Sequence, residues 1–308
     1  MPKKQVPVRE PNSRFDPFRF LTAEERDRHR NAYRTYLELR NGEIDYAGRR
    51  LSRRESYFRA LEASPVVSSR AYDRRGFDEH LKGPGKTSID DVTAWLAAVA
   101  KANEGEVYGT DLELRRFFRE KRFLAEEGSI EGDTDGTDLV QLYVFFEELY
   151  HSRILSVVCD VCGLDLEIQP PRWRIRILSR LIYHMPDSIR WTVILCAEVV
   201  GATVFKLFLD RCDLFSEESA VEARIRSLVS EIWRDELLHV AMLRARLGRT
   251  SIWIARRIFP LVVGSLIRDV PELLQLGGNR GEFMRRVRQG VEIPDDIGWI
   301  EADSAPTA

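Results

Sequence analysis

Residues 138–158, DLVQLYVFFEELYHSRILSVV, decide the reading: an apolar and aromatic run that carries Glu147, Glu148 and His151 at its centre. A helix buried in a protein core tolerates ionisable groups only where a partner offsets the lost hydration, because an uncompensated buried carboxylate costs on the order of several kcal/mol. A metal ion is one such partner.

The motif has a second copy. In EELYH, Glu148 and His151 are three residues apart; in RDELLH, so are Glu236 and His239. Residues i and i+3 share a helix face about one turn apart, so each pair can reach one ion together. Two Glu-x-x-His helices, with a single carboxylate from each of two further helices, make the ligand set of a dinuclear site in a helical bundle. Glu198 suits one of the single positions: it is the only acid in the apolar run WTVILCAEVVGATVFKLFL, residues 191–209. The first helix offers Glu104, Glu106, Asp111 and Glu113. Asp111 shares its helix face, at steps of three or four residues, with Ala100, Glu104, Val107, Leu114 and Phe118, a drier face than the one around Glu113, so Asp111 is the expected ligand and Glu104 the next choice. Asp235, beside Glu236, suits an acceptor for a ligand histidine on a neighbouring helix; Glu147 suits either a similar part or a solvent-facing one, and Glu104 is a further candidate for support behind the ligands. His29, His80 and His184 are read as surface or structural residues; Phe145 or Phe146 could wall a pocket, although core packing is the commoner reason for phenylalanines at helical spacing.

The bulk properties exclude several classes. A chain of 308 residues with 44% hydrophobic content can bury a large core. Its 47 basic and 49 acidic residues give no global charge for binding nucleic acid or membrane. The first residues, MPKKQVPVREPN, lack the apolar core of a signal peptide, and a cytoplasmic location is expected. Four cysteines make no disulfide framework, and Cys159 and Cys162, the one C-x-x-C, are read as buried thiols. Glu198 and Lys206 argue that the 191–209 run is a bundle interior rather than a membrane span.

Helix-period runs recur along the chain and sustained strand alternation is missing, so the fold class is all-α. Residues 1–85 read as an N-terminal extension of polar helices, one of them capped by Thr22. Residues 86–290 form the helical bundle, beginning at a helix capped by Ser88 with distortion expected at Gly105 and Gly109, and 291–308 form a loosely held tail.

The order Asp111, Glu148-x-x-His151, Glu198, Glu236-x-x-His239 resembles the ferritin-like di-iron carboxylate superfamily over roughly residues 88–246. That superfamily includes acyl-carrier-protein desaturases, ribonucleotide reductase small subunits and bacterial multicomponent monooxygenases. Within it, NEGEVYGTDLEL and RDELLHV are most similar to the p-aminobenzoate N-oxygenase family. Those enzymes carry a further histidine ligand one turn before the last glutamate; Ile232 stands there in this chain, and six ligands, as in the desaturases, is the expectation.

The resemblance implies a ferritin-like four-helix bundle with additional N- and C-terminal helices. It implies two iron ions (Fe2+/Fe3+), and manganese or a mixed Mn/Fe pair suits the same ligands. The expected activity is O2-dependent oxygenation of a small molecule, at an amine nitrogen or at carbon, in a biosynthetic pathway with an external electron donor. Alternatives are a desaturase of carrier-bound acyl chains and a non-catalytic iron- or manganese-binding protein. The basic run PRWRIRILSR, residues 171–180, could dock an acyl or peptidyl carrier protein, and a homodimer is the default assembly.

Overall fold

A computed structural model describes residues 18, 22–27, 30, 52–82, 89–120, 137–164, 171 and 173–288. Every regular element among them is a helix: α1 Ser52–Ala63, α2 Arg74–Lys82, α3 Asp91–Glu120, α4 Thr137–Val161, α5 Trp173–His184, α6 Asp187–Asp210, α7 Ser219–Arg246, α8 Arg249–Asp269, α9 Glu272–Gly277 and α10 Arg280–Arg288, with a 3-10 turn at Cys212–Phe215. The tail at 291–308 and the proposed cap Ser88 lie outside the described residues.

Local chemistry explains the boundaries. Thr22 and Glu25 exchange side-chain to backbone hydrogen bonds (3.2 and 2.9 Å), the reciprocal cap expected at that helix start. The cap of α3 is Asp90, whose Oδ1 accepts the Thr93 N–H at 2.8 Å. Gly163, at φ +68°, closes α4, with the Leu164 N–H reaching the Cys159 carbonyl. All four cysteines are buried free thiols.

The two long runs that carry the Glu-x-x-His motifs, α4 and α7, pack against each other, α3 packs on α4, and α6 packs on α7. Helices α3 and α6 are antiparallel. Their register is set by Glu113 with Arg190 at one end, by the Trp95 indole N–H on the Phe208 carbonyl at 3.2 Å, and by Asp91 with Arg211 at 3.0 Å at the other. The apolar core draws on α3, α4, α6, α7 and α8; near this second end Trp95 is fully buried and meets Phe215 edge to face at 5.2 Å.

Contrary to expectation, α3 runs unbroken through Gly105 and Gly109. Both glycines line a cavity of about 390 Å3, where a β-carbon would meet nothing within 4 Å. Segments Asp187–Phe215 and Arg249–Asp269 are long and apolar enough to cross a membrane by length and composition alone. The first contains α6, whose buried face supplies much of the core and whose Glu198 faces the cavity.

Candidate metal centre

Antiparallel pairing of α4 with α7 builds the centre. Its register is set by Arg246 donating to Gln141 at 3.3 Å, His239 to Glu147 at 3.1 Å and His151 to Asp235 at 3.0 Å. At this level the two Glu-x-x-His motifs face each other, and the histidine rings stack with centroids 5.6 Å apart. Both rings are fully buried, as is Asp235, and Glu147 is 2% exposed.

Each histidine donates its Nε2–H to an acid from the opposite helix, so the Nδ1 atoms face inward. Nδ1 of His151 lies 3.4 Å from Glu148 Oε2 and 3.3 Å from Glu236 Oε1. Nδ1 of His239 lies 2.9 Å from Glu148 Oε1 and 3.4 Å from Glu198 Oε2. These atoms are close but not aligned as hydrogen bonds: both Nδ1 atoms and Glu148 Oε2 are buried without a hydrogen-bond partner. Donor atoms that converge on a point without bonding one another suit a cation at that point.

Among the described residues, two groups of side chains could hold a metal ion. One is Glu106, Glu148 and His151; the other is Glu148, Glu198, Glu236 and His239. Within each group the ligand atoms lie within 4.8 Å of one another, and Glu148 belongs to both. Glu236 also approaches the histidine of the first group. Opposite it, α6 carries Gly201, where a β-carbon would come within 2.8 Å of Glu236 Oε2. Only glycine leaves that carboxylate its place.

Glu106, not Asp111, therefore stands at the first position. Asp111 lies on the outer side of α3, its side chain 48% exposed and paired with Arg115 at 2.8 Å. Glu104 is half-buried on α3 and belongs to neither group, and Glu113 pairs with the buried Arg190. Phe145 lines the cavity and meets Phe117 edge to face at 5.7 Å, whereas Phe146 does not reach it. Of the histidines set aside, His80 is buried and donates to Glu272 at 2.7 Å.

The chain matches no protein-family model, no curated protein and no solved structure. The chemistry of the centre must therefore be read from its own electrostatics.

Burial, and then the charge of Glu148, holds the Glu106 carboxyl well above its ordinary range. Burial and the charge of Glu198 push Glu236 up to about 8. Burial opposes ionisation of Glu148 too, but His239, with Glu106 and His151, outweighs it and holds that group well below the usual carboxylate range. Burial likewise disfavours charge on both histidines, yet Asp235 raises His151 and Glu148 raises His239, each well above the normal imidazole value. The centre is thus short of positive charge. Two divalent cations would balance the four carboxylates of Glu106, Glu148, Glu198 and Glu236 and remove the repulsion that favours the protonated forms of Glu106 and Glu236.

The cavity is bordered by Glu106, Glu148, Glu198, Glu236 and His239, and its other walls are mainly apolar. Along α3 it reaches from Ala98 to Glu113 and along α6 from Trp191 to Phe205, each about 20 Å at ~1.5 Å per residue, with the carboxylates near the middle. Helix α5 contributes Ile175, Leu178, Ser179 and Ile182 to the lining, and no α5 residue is buried.

Proposed function

We propose that this protein is an O2-dependent non-haem di-iron oxygenase that oxidises an apolar small molecule, built on a ferritin-like four-helix bundle of α3, α4, α6 and α7. The observation that carries the reading is Glu148 shared between two groups of convergent buried donors on the wall of an apolar cavity. Glu106, Glu148 and His151 would hold one ion, Glu198, Glu236 and His239 the other, with Glu148 and Glu236 facing both. Two ferrous ions bound there supply O2 binding and its reductive activation; manganese satisfies the same hard-oxygen and imidazole donors.

The remaining work belongs to the chain. Asp235 and Glu147 hold the two imidazole rings in the tautomer that directs Nδ1 inward. The apolar cavity excludes water and holds a substrate carbon or nitrogen against the carboxylates. Hydroxylation of such a substrate consumes O2, two electrons from an external donor and two protons, and yields the oxygenated product and water.

One observation favours a second reading, desaturation of an acyl chain delivered by an acidic carrier protein. Helix α5, which lines the cavity on one side, leaves Trp173, Ile177, Leu178 and Leu181 exposed beside Arg174, Arg176 and Arg180.

Metal analysis of protein expressed with added iron, followed by O2 uptake after anaerobic reduction, tests the proposal. About two irons per chain and O2 consumption are expected, both lost in Glu198→Ala. Correctly folded protein that takes up neither iron nor manganese would overturn it.

A further inference from the structure

At the end of the cavity away from α5, the walls are Ala98, Lys101 and Ala102 of α3 with Ser265, Asp269 and Leu273 from α8 and α9. Lys101 is already committed. Its ammonium lies 2.5 Å from Glu272 Oε1, which also accepts from His80 Nε2, so lysine and glutamate cancel within a buried cluster. Asp269 is different. It is 7% exposed, borders the cavity, and makes no hydrogen bond or ion pair with any described residue. A carboxylate so placed is costly unless a donor reaches it, and a cationic donor compensates it best.

We propose that this end of the cavity seats the protonated amine of an apolar alkyl or arylalkyl amine, with Asp269 as its carboxylate partner. The inference rests on the oxygenase reading for what happens next and names the substrate class for that site. Lys101 precedes Glu106 by five residues, about 7–8 Å along the helix at ~1.5 Å per residue. An ammonium held by Asp269 therefore stands well short of the metal donors, and the body of the molecule, not its nitrogen, lies beside Glu106 and Glu198. The amine is a handle, and a carbon is the position presented for oxidation. The same carboxylate argues against an acyl chain entering past α5, because its terminal methyl would have to end against Asp269.

Isothermal titration of the full-length protein, metal-loaded and metal-free, with n-octylammonium and with 1-octanol separates the outcomes. The ammonium should bind at least tenfold more tightly than the alcohol in both forms. Asp269→Asn, an isosteric change, should cut that preference to less than threefold and leave 1-octanol binding unchanged. Gly105→Leu, which projects a side chain into the cavity from a helical position that tolerates leucine, should weaken both probes and so locate them. Equal affinity for the two probes, or a preference that survives Asp269→Asn, would overturn the assignment. An amine preference in a protein that takes up no metal would sink the oxygenase reading while sparing the amine site, and full metal loading without the preference would do the reverse.

Discussion

Gly201→Ala separates the stability of this protein from its proposed chemistry. In an exposed helix interior, alanine in place of glycine stabilises by about 1 kcal/mol, which for a chain of this size raises Tm by roughly 2–4 °C. Here the new β-carbon would lie 2.8 Å from Glu236 Oε2, where ordinary contact begins at about 3.4 Å. The carboxylate must retreat by roughly half an ångström. That movement is cheap in the metal-free protein, because Oε2 is the free end of a flexible side chain. It is expensive once two ions fix Glu236, since a misplacement of this size in a ligand or its support costs about ten- to a hundredfold in metal affinity. Circular-dichroism melting of the metal-free variant should therefore show unchanged or higher Tm, while competition against a chelator shows affinity down at least tenfold. A variant that binds metal like the wild type would refute the role given to Glu236, and one that loses several degrees of Tm without metal would refute the local packing.

The other expectations concern single side chains. Glu106→Gln should leave the fold intact and abolish uptake of one ion of the two by metal analysis, whereas Asp111→Asn, on the exposed side of α3, should change neither stoichiometry nor stability by more than about 1 kcal/mol. Asp235→Asn replaces the charged acceptor of the His151 Nε2–H with a neutral amide that no longer fixes the tautomer, and should lower metal affinity about ten- to a hundredfold with the chain still folded, measured by chelator competition. The Glu272 carboxyl is held below its ordinary value of 4.5: burial works against ionisation, but Lys101, with help from His80, outweighs it. Its contribution to stability is therefore fully present above that value and is lost as pH falls through the lower folded-state value. Urea titrations should show Glu272→Gln less stable than wild type at pH 7, with the gap closing as the pH falls below the ordinary carboxylate range; a gap independent of pH would contradict the ion pair.

Much of the architecture is legible in the sequence, because long apolar stretches at helical period have few other ways to fold. Glu198 announces itself by its isolation: with apolar neighbours over a full turn on either side, it has nowhere wet to go. The first-helix donor is harder to see. Choosing the drier face of α3 selects Asp111, on the assumption that the inward face packs against protein. It faces a cavity instead. Ala102, Gly109, Thr110 and Glu113, which share a face with Glu106, all line that cavity, so the helix looks polar and small on the side that matters. The run of small residues beside Glu106 is the signal that distinguishes it, together with the antiparallel register of α3 and α6, which sets Glu106 opposite Glu198. Asp269 gives no sign in sequence, because nothing local shows that the end of α8 closes the cavity.

The repeated pattern acid-Glu-x-x-His carries more information than a ligand count. Glu147-Glu148-x-x-His151 and Asp235-Glu236-x-x-His239 run in opposite directions at the same level, so the leading acid of each motif sits beside the histidine of the other, and so does each glutamate. A leading acid lies about 100° around the helix from its glutamate, away from the ions and toward the neighbouring helix. On a parallel neighbour, the two leading acids would sit together at one end and the two histidines together at the other. Sliding α7 along α4 by one turn would carry it about 5.4 Å and break all four contacts at once, leaving buried carboxylates and imidazoles without partners. One five-residue motif, used twice, thus fixes the direction of two helices and their register, and places the donor atoms, which is why the polar residues in FEELYH persist where every neighbour is apolar.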